Sequence, residues 1–485
     1  MLVSPGKRHM NLISFRFLAL VAVGLLLFHS FRSLTWRRLV LLVLNVTFIA
    51  SFANSPLDLF PLAAFLMLGY LFILVAHSQK SRMNFVAGIF LLLLAFVYLK
   101  RYSLFDFLQF WENPYVVVGL SFIFFRVVQI FVDTHQGALV ERISALEMFN
   151  YCCNFLTFVS GPIQRFQDYR EQEKQLASIN ITDRTAYLAF SRITNGVMKL
   201  ALISTAFEWL FEWMKIHSGE ASYLWATYAG AGLSYFLQLF YNFSGYMDIV
   251  VGIGFLFGFK LPENFDSPLD SENFLDFWSR WHITLSEWFK LYLFNPIVKA
   301  LTRRWMRMGL VPYFGVFAYF VTFFLMGMWH GTTFMFMIYG LFLGLGMAIN
   351  KFYEIEMRAL LGKARFKKLR GKFLYRIFSK SLTLTYFAIA LTALWMKWDT
   401  FTYVLGRLGW IGILESLGLF ILVIGFIHVG YMAVRIFLAR FRDHLGELDQ
   451  SRSFQQIHLA ARVVIVILFL ISSQISMPKL IYGGF

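Results

Sequence analysis

Residues 311–349 read VPYFGVFAYFVTFFLMGMWHGTTFMFMIYGLFLGLGMAI. The stretch holds no Asp, Glu, Lys or Arg, and its single histidine, His330, sits near the middle. A bilayer is crossed by about 20 mostly apolar residues, so the length suits either one long tilted span or a tight pair. Gly327 and Gly331 lie on either side of Trp329-His330, and Gly340 and Gly344 stand four apart. Small residues at such spacing let membrane helices approach closely. An imidazole in a low-dielectric site stays neutral, because desolvation disfavours its charged form. Neutral imidazole is what a general base needs. From this segment alone two readings stand side by side, a catalytic base and a structural histidine hydrogen-bonded to a neighbouring helix.

The surrounding chain has the same character. It is 59% hydrophobic and 15% charged, against about 45–50% and about 25% in soluble domains, and its mean hydropathy is +0.63. Apolar runs cover 14–31, 39–52, 57–76, 85–99, 116–132, 146–159, 186–214, 224–257, 381–396, 411–433 and 460–475. We therefore expect an all-α polytopic membrane protein, a single integral membrane domain over 1–485 with roughly ten to thirteen crossings plus re-entrant or interfacial helices. The first run has a basic flank and no small-residue cleavage site, which reads as an anchor helix. No internal repeat is visible, which argues against inverted-repeat transporter folds.

The net charge is +17. The cations sit in short loops, where they mark the cytoplasmic side, and no basic stripe suggests nucleic acid. The basic loop at 353–380, with Arg358, Lys363, Arg365, Lys367, Lys368, Arg370 and Lys372, is expected in the cytoplasm. So is the cluster Lys299, Arg303, Arg304 and Arg307. The stretch between them must then cross an even number of times, or dip and return. Cys152 and Cys153 are adjacent and make neither a disulfide framework nor a CxxC pair. No Walker A, HExxH or GxSxG sequence occurs, and with scattered histidines no metal site is expected.

Polar residues at membrane depth are costly and ask for a reason. Asp276-Phe277-Trp278-Ser279-Arg280-Trp281-His282-Ile283-Thr284-Leu285-Ser286 is too polar for a span and too apolar for a solvated loop. It reads as an amphipathic or re-entrant helix lining a cavity, with His282 a candidate for the wall and a structural role the commoner alternative. Before it, Pro262-Glu263-Asn264-Phe265-Asp266-Ser267-Pro268 forbids a continued helix. Phe243-Ser244-Gly245-Tyr246-Met247-Asp248 places a carboxylate in an apolar run, where it needs a partner that the sequence does not name. Ser160-Gly161-Pro162-Ile163-Gln164-Arg165 breaks another run and leaves Arg165 beside the break. Arg126, Gln129 and Asp133 share one helical face and suggest a polar network. Glu208 and Glu212 beside Trp209 and Trp213 read as an interfacial helix end ahead of a paired-carboxylate acid/base site.

In this order, Gly161-Pro162-Ile163 with Arg165, Phe243-Ser244-Gly245-Tyr246, Pro262-Glu263-Asn264-Phe265, Phe277-Trp278-Ser279-Arg280-Trp281-His282 and Trp329-His330-Gly331 resemble the membrane-bound O-acyltransferase family. The likeness is to its bacterial branch, which acylates envelope or secreted polysaccharides (alginate O-acetyltransferase and D-alanyl-teichoic-acid transferase types), and covers a core at 115–350. Asn242, Met247 and the sequence after Pro296 depart from the commoner pattern of that branch. The resemblance implies a helical bundle around a funnel or tunnel, with His330 and His282 as the catalytic pair. Trp329, Trp281, Asn264, Gly327, Gly331, Arg165, Ser244, Tyr246 and Arg280 would line or support it, and His282 could stabilise an oxyanion. It also implies no permanently bound cofactor. The acyl group, acetyl ahead of D-alanyl, would come from a cytoplasmic thioester, either acetyl-CoA or an acyl or aminoacyl carrier protein. The acceptor would be an extracytoplasmic polymer hydroxyl, reached directly or through a partner acyltransferase at the bacterial cytoplasmic (inner) membrane among its lipids. A transporter that moves polysaccharide or lipid without covalent change is the rival from another class.

Overall fold

The computed structural model describes residues 10, 14–103, 107, 118–217, 224–306, 310–449, 456–457 and 459–464. Arg307, the start of the expected core at 115–117, and most of the apolar run 460–475 lie outside them. The described chain is helical and divides into two compact units. Among the described residues, one comprises those of 1–196 and 245–263, the other those of 197–244 and 264–464.

The first unit is built from α1 (Phe15–Ser30), α2 (Leu34–Ala50), α3 (Phe60–Ser78), α4 (Arg82–Lys100), α5 (Leu120–His135), α6 (Ala145–Cys152), α7 (Phe166–Lys174) and α8 (Asp183–Met198). Serines cap several of these helices: Ser14, Ser33, Ser81 and Ser144 each accept a backbone N–H of the first turn, which satisfies donors a helix start leaves orphaned. Helix α5 is buried from Phe125 to Thr134, and the expected polar network runs outward from it. Arg126 donates to the carbonyls of Tyr151, Cys152 and Thr157 and to the Thr157 hydroxyl. Gln129 accepts from the Tyr151 hydroxyl, and Asp133 accepts from Gln167 at 2.7 Å. A buried guanidinium here holds the irregular chain after α6 by its backbone.

Asp248 finds its partner in Arg192 of α8, at 2.5 Å, and Arg192 also pairs with Glu263. Removing one member of a buried pair strands the other charge. With Arg192 30% exposed and Asp248 9% exposed, Arg192→Leu is expected to lower stability by about 1–3 kcal/mol, read as thermal unfolding in detergent, and Arg192→Leu with Asp248→Asn should recover most of the loss.

The second unit contains α9 (Thr205–His217), α11 (Phe274–Arg280), α12 (Ile283–Phe289), α13 (Asn295–Trp305), α14 (Val311–Trp329), α15 (Phe334–Arg370), α16 (Phe373–Ala390), α17 (Thr392–Trp395) and α18 (Trp398–Asp449), while α10 (Leu224–Leu256) supplies residues to both units. On α9, Trp209 and Trp213 are exposed and Glu212 pairs with Lys215.

Among the described residues seven helices are long and apolar enough to cross a membrane, and α1 is a shorter apolar helix. Several runs of the sequence are cut rather than continuous. The run 146–159 stops being helical after Cys152, and 186–214 is interrupted by a π-helical segment at Lys199–Ser204. The run 311–349 is two helices, α14 and α15, packed antiparallel. Two crossings are an even number, which lets both cationic segments share one side. The segment expected as a basic loop is mostly helical: α15 continues to Arg370 past a kink at Gly362, and α16 starts at Phe373. Lys, Arg, Leu and Ala are good helix formers, so high charge did not stop the helix.

Candidate active site

The α14–α15 hairpin places His330. A Cβ added to Gly327 would lie 2.2 Å from the Gly340 Cα, and one on Gly344 2.7 Å from the Phe320 carbonyl oxygen. The two backbones thus touch through glycine. His330 follows directly at the C-terminal cap of α14, where its N–H donates to the Gly327 carbonyl at 3.2 Å. The side chain is 4% exposed and lies edge-on to Trp329 and Tyr339, at ring-centroid distances of 4.9 and 5.6 Å.

The second histidine is fixed by the proline-bracketed loop. Residues after Pro262 pair antiparallel with the chain around Trp281: Phe265 bridges Trp281, Asp266 N–H donates to Arg280 O, and Ile283 N–H to Asn264 O, each bond at 3.0 Å. This lays the Asn264 side chain against residues 282–284. Asn264 Oδ1 accepts from the Thr284 N–H (3.0 Å), the Thr284 hydroxyl (2.9 Å) and His282 Nδ1 (3.3 Å). A backbone amide can only donate, so the atom facing it is the oxygen, and His282 Nδ1 must carry its proton. The tautomer is thereby set, with the lone pair on Nε2. His282 also has left-handed backbone geometry, φ 47° and ψ 49°, a conformation that costs a non-glycine residue energy and clusters at functional sites.

The two imidazoles face one another at a centroid distance of 6.5 Å. His282 is fully buried and lies outside every candidate span. Burial, reinforced by the neighbouring His330, holds its pKa well below the usual histidine range, so it is neutral at pH 7. Two buried histidines, one presenting a fixed lone pair, can remove and pass a proton.

The family model described as MBOAT, membrane-bound O-acyltransferase family, matches residues 57–387, more than half of the chain. The chain belongs to the membrane-bound O-acyltransferase family. Among curated proteins it is 30% identical over 248 residues to a teichoic acid D-alanyltransferase of Bacillus subtilis, covering 50% of this chain and 61% of that one. It is 29% identical over 244 residues to a probable alginate O-acetylase of Pseudomonas fluorescens, covering 48% and 44%. To a peptidoglycan O-acetyltransferase of Helicobacter pylori it is 30% identical over 275 residues, covering 51% and 50%. The chain spans about half the length of the curated relatives it matches.

The other expected site residues of this membrane-bound O-acyltransferase sort by position. Trp329 and Asn264 touch the histidine pair, and Gly327 shapes the hairpin beneath it. Gly331 lies close against the Phe336 ring, where an added Cβ would come within 2.0 Å. Ser244 is buried, with no hydrogen-bond partner for its hydroxyl among the described residues, and follows Phe243, whose ring meets His282 at 4.9 Å. Trp281 turns away into an aromatic core with Phe240, Phe277 and Phe387. Arg280 pairs with Asp276 at 2.9 Å, half-exposed. In the first unit, Tyr246 donates to the Gly161 carbonyl at 3.3 Å, and Arg165 is an exposed residue at the N-cap of α7. Three residues that touch the site were not among the expected site residues: Thr284 and Phe243, which lie inside quoted segments, and Tyr339.

Proposed function

We propose that this protein transfers an acyl group, acetyl or D-alanyl, from a thioester donor to a hydroxyl of a cell-envelope or secreted polymer at the bacterial cytoplasmic membrane. The observation that carries the reading is the buried His330–His282 pair in a chain of this family, with one imidazole held in a single tautomer. In the reaction the acceptor oxygen bonds to the thioester carbonyl carbon, the carbon–sulfur bond breaks, and the thiolate leaves. His330 takes the hydroxyl proton as general base and returns it to the departing thiolate. His282 Nε2 can only accept while neutral, which fits orienting the hydroxyl or a His330 N–H and does not fit donation to an oxyanion. A dry site also protects the thioester from hydrolysis. The donor, a coenzyme thioester or a carrier protein, comes from the cytoplasmic side, and a partner acyltransferase or the polymer itself receives the group.

The test is an inventory, by mass spectrometry and NMR, of acyl esters on envelope and secreted polymers from cells with and without the gene. Loss of one ester class supports acyl transfer and names acetyl or D-alanyl. An unchanged inventory together with altered export of polymer or lipid would put transport in its place.

The Asn264 hydrogen bond gives a pH prediction. With His282 held neutral, its protonation should lower the rate only well below about pH 6.5. Asn264→Asp keeps the acceptor oxygen and adds a negative charge, which favours the imidazolium and raises the His282 pKa. The acid limb of kcat/KM is then expected to move to higher pH by about one unit or more, with the activity at pH 8 reduced less than that at pH 6. An unmoved limb would remove His282 from the proton path.

A further inference from the structure

In the first unit, the C-terminal end of α1 and the chain at Ile179–Ile181 enclose a groove of about 740 Å³. Its apolar wall is a helical stripe, Ala22, Leu25 and Leu26, spaced as one face of α1. Its other end holds Arg32 and Arg37, and no carboxylate lines it. Arg37 is buried and saturated by carbonyls: it donates to Phe28 O at 3.2 Å, to Phe31 O at 3.3 Å, and to Leu176 O and Ile179 O. Carbonyls satisfy its hydrogen bonds but leave its charge uncancelled. The acid close by, Glu173, is taken by Arg38 at 2.7 Å. Arg32 is exposed and forms no ion pair among the described residues. Beside the groove, Trp36 donates to the Leu27 carbonyl at 2.7 Å and meets the exposed Phe31 edge-on, the kind of aromatic anchor found at headgroup level.

We infer that this groove is a binding site for one anionic phospholipid, its phosphate on Arg32 and its acyl chain along Ala22, Leu25 and Leu26. Three features select that occupant. Two cations without an acid at the membrane boundary attract a ligand of net negative charge, which a zwitterionic lipid lacks. The apolar stripe from Ala22 to Leu26 runs about 6 Å at 1.5 Å per residue before the polar His29 and Ser30, which suits part of a hydrocarbon chain and gives nothing to a free anion. Ser30 and Asn180 at the mouth offer polar groups at the depth of the ester oxygens.

The test uses the full-length protein in mild detergent and native mass spectrometry, with phosphatidylglycerol and phosphatidylcholine as the probes. Phosphatidylglycerol should be retained one to one and at least tenfold better than phosphatidylcholine. Arg32→Glu should abolish that preference, and Leu26→Trp, which fills the groove, should reduce retention of both lipids. Both positions are exposed, so unfolding temperatures in the same detergent should match the parent. Millimolar inorganic phosphate should not displace the lipid. Equal retention of the two lipids, an unchanged preference in Arg32→Glu, or displacement by phosphate alone would each overturn the proposal, the last in favour of a simple anion site.

Discussion

Replacing His330 with alanine is expected to cut acyl transfer by about 10²–10⁴-fold, the range that a positioned general base contributes. The side chain is 4% exposed and flanked by Trp329 and Tyr339, so alanine also leaves a hole that could disturb the hairpin. His330→Gln separates the two effects, since it keeps much of the volume and the hydrogen-bonding capacity but has no basicity. Both variants should lose the polymer ester at matched membrane levels, while the glutamine protein keeps the parent unfolding temperature in detergent. Full ester content in His330→Gln would show that the residue packs and does not catalyse.

The other large effect concerns Gly327. An added methyl would meet Gly340 Cα at 2.2 Å and Gly340 N at 2.4 Å. Both are backbone atoms that cannot rotate aside. α14 and α15 must therefore part or shift, and overpacking of this kind costs about 1–3 kcal/mol or more. Gly327→Ala should lower the unfolding temperature and, by moving the adjacent His330, reduce transfer beyond what the lost folded protein explains. Gly315 supplies the control on the same helix. A methyl there meets only Lys351 Cε, at 3.9 Å, so Gly315→Ala should be neutral or slightly stabilising through better helix propensity. Equal behaviour of the two variants would show that glycine contact is not what holds the hairpin.

Local features were legible in the sequence because their causes are local. A histidine between glycines in a charge-free run, a loop closed by two prolines, and arginine, glutamine and aspartate on one face of α5 each announce themselves within a few residues. Partnerships across the chain were not. Arg192 and Asp248 stand 56 positions apart on different helices, and several cations of α8 and its surroundings were equally eligible. The acceptors for Arg126 are carbonyls, which every residue has and no side chain advertises. The turn between α14 and α15 carries only Gly331, Thr332 and Thr333 as a signal, too little to show where one apolar helix ends and another begins. The Asn264–His282 bond depends on antiparallel pairing between residues 18 positions apart, with α11 between them.

The hairpin also sets a length scale. Tyr313, near the start of α14, donates to Glu356 of α15 at 2.7 Å. Lys351, Glu354 and Arg358 form a chain of ion pairs at the same level. From Tyr313 to His330 α14 rises about 26 Å at 1.5 Å per residue. If the donor is the thioester proposed above and it enters at this charged rim, its carbonyl would have to ride at the tip of a slender tether nearly as long as the helix, with the bulky carrier left outside. Trimming the tether, with the acyl group untouched, should then slow transfer through reach alone.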